Sequence, residues 1–94
     1  MAAKDVEELI EEIIETLISR GEEYDSAAGE RSMGKAVAAF AHITGQDLSE
    51  AEGWLLLQLL KDVRQWSKDS YHHDSALDCI GYSLLKAEAL SDDR

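Results

Sequence analysis

The chain contains no proline, a single cysteine and only six aromatic residues outside histidine, two Trp, three Tyr and one Phe. It also lacks the β-branched runs and frequent turns of a sheet sandwich, so its content of Ala, Leu, Glu and Asp favours helices. One cysteine cannot close an internal disulfide, and nothing here implies secretion. Cys79 falls in an apolar helical pattern, where a buried, inert thiol is the common state. No segment approaches the ~18 to 20 consecutive apolar residues of a membrane span, and the N-terminus lacks the basic and apolar regions of a signal peptide. A soluble intracellular protein without membrane contact is expected.

Basic residues are also scarce. Nine Lys and Arg against twenty Asp and Glu give a net charge of −11 and a pI near 4.5. Nucleic-acid affinity at moderate salt rests on Lys and Arg neutralising phosphates, so direct DNA or RNA binding is excluded as an expectation. The same acidity suits either plain solubility or a partner with a basic surface. Catalytic motifs are missing too: there is no G-x-S-x-G elbow, P-loop or dinucleotide-binding glycine fingerprint. His72 and His73 are adjacent and point in different directions, with no further His or Cys cluster to complete a zinc set.

What is present is helical periodicity. Val6, Leu9, Ile10, Ile13, Ile14, Leu17 and Ile18 follow the 3, 4 spacing of one helix face, and Glu7, Glu8, Glu11, Glu12 and Glu15 occupy the other. This predicts a first helix over about 5–19 with a stop at Gly21, then a polar loop, GEEYDSAAGER, over 21–31. A second helix is expected over 32–44, started by Ser32, ended by Gly45, and turning Met33, Val37, Phe40, Ala41 and Ile43 inward. Ser49-Glu50-Ala51-Glu52 matches the S-x-x-E capping box and opens a third helix over 50–66. Trp54, Leu55, Leu56, Leu57, Leu59, Leu60, Val63 and Trp66 leave that helix few polar positions, which places it both in the core and in an oligomer interface. A fourth helix is predicted over about 75–89, with Leu77, Ile80, Gly81, Leu84 and Ala87 or Glu88 as its stripe and a frayed tail over 91–94. The expected fold is an all-α, compact four-helix bundle-like single domain of 94 residues, forming a homo-oligomer, most simply a dimer, through the third helix.

The segment from Leu60 to Leu85 concentrates groups that core formation does not need. Lys61 and Arg64 lie one helical turn apart, while Asp74 and Asp78 stand at i and i+4. Two readings are open. In the structural one Asp74 caps the fourth helix and Asp78 pairs with Lys61 or Arg64; in the functional one the two carboxylates bind a divalent cation such as Mg²⁺. Tyr24 and Tyr82 either stack on a base or form amphipathic edges of the core. The E-x-x-E spacings among Glu8, Glu11, Glu12 and Glu15 describe either a solvated face or carboxylates offered to a metal.

Arg20, Gly21 and Tyr24 form R-G-x-x-Y; Leu60, Lys61 and Arg64 form L-K-x-x-R; Asp74, Ser75, Asp78, Gly81 and Tyr82 form D-S-x-x-D-x-x-G-Y. In these motifs, and over nearly its whole length, the chain resembles a family of small bacteriophage and prophage proteins classed as a domain of unknown function. More distantly it is similar to phage nucleotide-modification-associated proteins and to MazG-like all-α nucleotide pyrophosphohydrolases, which hold Mg²⁺ on facing acidic helices. The MazG-like pattern has E-x-x-E on one helix and E-x-x-D on another. Here the fourth helix carries Asp74 and Asp78, and the glutamate pairs lie in the first.

The resemblance implies a phage or prophage protein in the bacterial cytoplasm. One expectation is binding of a nucleotide or phosphorylated small molecule between helices three and four, with Lys61 and Arg64 on phosphate, Tyr24 or Tyr82 on the base, and Asp74 and Asp78 on Mg²⁺. Any catalysis would then be Mg²⁺-dependent nucleotide hydrolysis by a metal-activated water. The alternative expectation is a non-enzymatic protein that occupies a basic surface on a host defence or replication component through Glu8, Glu11, Glu12 and Glu15; between catalysis and none, the absence of catalysis is the expectation.

Overall fold

The structure, a computed structural model, describes residues 4–24 and 32–92, with side chains from 4–19 and 32–92. It is all-α. Four helices appear among the described residues: α1 (Val6–Tyr24), α2 (Ser32–Thr44), α3 (Glu50–Trp66) and α4 (His73–Asp92). Contacts divide the chain into two units, one containing α1 and the other α2, α3 and α4.

In the first unit, Asp5 starts α1 by accepting the Glu8 N–H on its carboxylate at 2.9 Å, and Glu7 and Glu8 follow at the positive end of the helix dipole. The helix does not stop at Gly21 but continues through Tyr24. One internal glycine costs a helix only about 1 kcal/mol, and Glu22 and Glu23 are good helix formers. The remainder of the expected loop, 25–31, lies outside the described residues.

In the second unit, α2 and α3 have the bounds their local signals predict. Gly45, at φ +73°, takes the left-handed conformation that ends α2, and its N–H donates to the Ala41 carbonyl at 2.9 Å. Ser49 and Glu52 close the capping box in both directions, Glu52 N–H to Ser49 Oγ at 3.1 Å and Ser49 N–H to Glu52 Oε1 at 2.9 Å. Donation to the Glu52 carboxylate from Ser49, its backbone N–H first and its hydroxyl second, holds that carboxyl below the usual carboxylate range.

α2 crosses α3 at Gly53, where an added Cβ would overlap Met33 Sδ and lie 3.1 Å from Val37 Cγ1. Met33, Val37 and Ala41, four residues apart, therefore form the partly buried stripe. Phe40 and Ile43, expected inward, are exposed, because Ile43 stands about 200° around the helix from Ala41. Ala51, Trp54 and Ala89 form the core of this unit, flanked by Met33, Leu57, Tyr82 and Leu85.

α4 is longer than expected at both ends, running from His73 to Asp92, so Ser91 and Asp92 are helical; Asp93 and Arg94 lie outside the described residues. Its packed face is also rotated from the predicted one. Ser75, Gly81 and Ala89 are buried, with Asp78, Tyr82 and Leu85 partly so, while Ile80, Leu84, Ala87 and Glu88 are exposed. The polar partners that α3 presents to Asp78 and Cys79, and the Trp54 ring presented to Tyr82, select this face over the more apolar one.

Candidate functional site

α3 and α4 form an antiparallel hairpin, and a ladder of polar links runs along it. Lys86 Nζ donates to Gln58 Oε1 at 2.8 Å, Lys61 Nζ pairs with Asp78 Oδ2 at 3.0 Å, and Cys79 Sγ donates to Asp62 Oδ1 at 3.0 Å. At the turn, Gln65 accepts the His72 N–H at 2.8 Å and donates to the Ser70 carbonyl at 3.1 Å. His72 Nδ1 in turn sits 2.6 Å from the hydroxyl of Ser75, which is 2% exposed. A buried polar group needs such a partner, and each rung fixes the register of the two helices.

Of the four charges expected to meet, the structure unites two. Lys61 and Asp78 form their ion pair with both side chains 17% exposed. Arg64, in the last turn of α3, is exposed and makes no ion pair with a described residue. Asp74 is exposed in the first turn of α4 and is not its cap: the helix begins one residue earlier, at His73, and the Ala76 N–H donates to the His72 carbonyl at 3.1 Å. Tyr82 stacks on Trp54, ring centroids 5.7 Å apart and planes 25° off parallel, as an edge of the core. The side chain of Tyr24 lies outside the described residues.

On α1, Glu8, Glu11 and Glu15 are exposed, and Glu12 pairs with Lys4. Among the described residues no group of three or more His, Cys, Asp or Glu side chains is placed to hold a metal ion. None of their helices is long and apolar enough to cross a membrane.

The thiol of Cys79 is pushed up to about 11, chiefly by burial and then by the hydrogen bond to Asp62 and its charge. That makes it a poor nucleophile. A recess of about 220 Å³ lies between the start of α3 and the end of α4, lined by Ser49, Glu50, Ala89 and Asp92. Glu50 is ~16 Å along the helix from Lys61, and the recess presents carboxylates to any anion.

The ladder residues Gln58, Asp62, Gln65, Cys79 and Lys86 carry much of this geometry, and the sequence reading did not single them out as partners. A signal was present: Gln58, Lys61, Asp62 and Gln65 recur at helical spacing inside a Leu-rich helix.

Beside the ladder, α3 presents Leu55, Leu56, Leu59, Leu60, Val63 and Trp66, all exposed; Val63 is 62% and Trp66 86% exposed. Within the α2–α4 unit no element covers this face. No known protein family, curated protein or solved structure matches the chain.

Proposed function

We propose that this protein is a non-enzymatic interaction module of the phage-borne kind, working by protein–protein contact through the apolar face of α3. The observation that carries the reading is the unbroken stripe from Leu55 to Trp66, left uncovered by α2 and α4. A patch of that size is uncommon on the surface of a protein that works alone. The polar ladder serves as a strut: it locks α3 against α4 so that the neighbouring apolar face is presented rigidly. The acidic face of α1, with Glu8, Glu11, Glu12 and Glu15, supplies a second contact for a basic partner such as a host defence or replication component.

Binding of a phosphorylated ligand between α3 and α4 is less well supported. Lys61 would have to leave Asp78, and the Tyr82 ring is already stacked on Trp54.

The test has two arms. A photo-crosslinking amino acid at Leu59 or Val63 in bacterial cells is expected to trap protein adducts, while the same residue at exposed Lys35 on α2 traps none. In parallel, thermal unfolding with a panel of Mg²⁺-nucleotides is expected to show no shift. Equal trapping at Lys35, or a nucleotide-induced rise in melting temperature that Arg64→Ala abolishes, would overturn the proposal.

A further inference from the structure

Resting on the interaction reading above, we infer that the occupant of the α3 face is a second copy of the same face, paired antiparallel across a two-fold axis near Leu59 and Leu60. Three observations support this. First, Leu55, Leu56, Leu59, Leu60, Val63 and Trp66 together expose on the order of 600 Å² of mostly apolar surface, at the top of the range for a monomer's largest apolar patch. Two such faces pressed together remove on the order of 1,200 Å² from water, the threshold of a stable protein–protein interface.

Second, the stripe is self-complementary. Its members recur at three- and four-residue spacings over most of the helix, so an antiparallel copy sets Leu56 opposite Val63 and Leu59 opposite Leu60. Trp66, the most exposed large apolar side chain of the stripe, then lies opposite the first turn of the partner's helix. Third, charge supports the direction. Glu52 stands in the first turn of α3 and Arg64 in its last. Antiparallel pairing brings acidic ends to basic ends and opposes the helix dipoles, whereas parallel pairing sets like against like.

Sedimentation velocity on the full chain, with and without Leu56→Glu/Val63→Glu, tests the dimer. The wild type is expected to sediment as a dimer at tens of micromolar. The variant should be monomeric, with a dissociation constant raised at least about a hundred-fold and helicity unchanged, since both positions are more than half exposed.

Cysteine crosslinking in a Cys79→Ala background reads the geometry independently of any folding defect. Leu59→Cys should crosslink to its own copy, and a mixture of Leu56→Cys and Val63→Cys chains should crosslink to each other. Leu56→Cys alone should not, because its copies stand ~10 Å apart along the axis. A wild type that stays monomeric, a dimer indifferent to Leu56→Glu/Val63→Glu, or efficient Leu56→Cys self-crosslinking overturns the proposal. A monomer whose α3 positions still trap another protein in cells sinks the self-pairing and leaves the interaction reading standing; no trapping at α3 sinks both.

Discussion

Replacing Lys61 by Met asks whether the ion pair at the centre of the hairpin is a strut or a ligand site held ready. At 3.0 Å and an effective dielectric near 20, the gross attraction between Lys61 and Asp78 is about 5 kcal/mol. Most of that is offset by the water both ions give up on burial. Truncating one partner of a fully buried pair costs about 3–5 kcal/mol, and an exposed pair contributes about 0–1 kcal/mol. With both side chains 17% exposed, the case lies between. Lys61→Met is therefore expected to destabilise by about 2 kcal/mol, because the Asp78 carboxylate loses its ammonium. Asp78→Leu should cost about 1 kcal/mol, since the longer Lys61 side chain can turn to water, and Lys61→Met/Asp78→Leu should lie within about 1 kcal/mol of wild type, giving a coupling energy of about 2–3 kcal/mol. Urea unfolding followed by circular dichroism, at one protein concentration for all four chains, measures it. A Lys61→Met chain as stable as wild type, or more so, would refute the strut; charges held apart from their best partners for a ligand behave that way.

Cys79, its thiol raised to about 11 from an ordinary value near 9, should react with iodoacetamide at pH 8 roughly a hundred-fold more slowly than a free thiol and recover normal reactivity in urea. Asp62→Asn should accelerate the native reaction, and no acceleration would show that burial alone sets the thiol. Because the folded state favours the protonated thiol, this group adds no pH dependence below its ordinary value and lowers stability as pH rises toward 11. Glu52 has the opposite sign: its carboxyl is lowered by the bonds from Ser49, so its contribution is present above the ordinary carboxylate value and is lost as pH falls through the depressed one. Glu52→Gln should flatten the acid limb of the stability curve, and an unchanged limb would remove the capping box as its cause. Gly53→Ala gains about 1 kcal/mol of helix propensity but drives a Cβ into Met33 Sδ, an overpacking that costs about 1–3 kcal/mol. A net loss of about 1 kcal/mol by thermal unfolding is expected, turning neutral or favourable when Met33→Ala is added; the same loss in both backgrounds would exclude the steric cause.

Helix existence and many ends were legible in the chain because their causes are local. The Ser49–Glu52 box and the left-handed Gly45 act within a few residues, and α2 and α3 have the bounds those signals predict. The end of α1 is not legible from Gly21, because the residues after that glycine sustain a helix at little cost. The pairing of Lys61 with Asp78 stood among the sequence alternatives, but nothing in the sequence alone chose it over Arg64 or a metal. Partners 17 residues apart are set by the register of the hairpin, which no single helix contains.

The sequence by itself determined an all-α, acidic chain and the apolar character of α3, since periodicity, capping and charge are properties of residues and near neighbours. Only the tertiary structure decided which faces those helices use. α4 turned Asp78, Cys79 and Tyr82 toward α3 in place of its more apolar stripe, because buried polar groups must find partners and α3 supplied them. That choice consumed one side of α3 and left Leu55 to Trp66 uncovered by α2 and α4. A helix rich in leucine on nearly every side cannot tell from its own pattern which side will be left over.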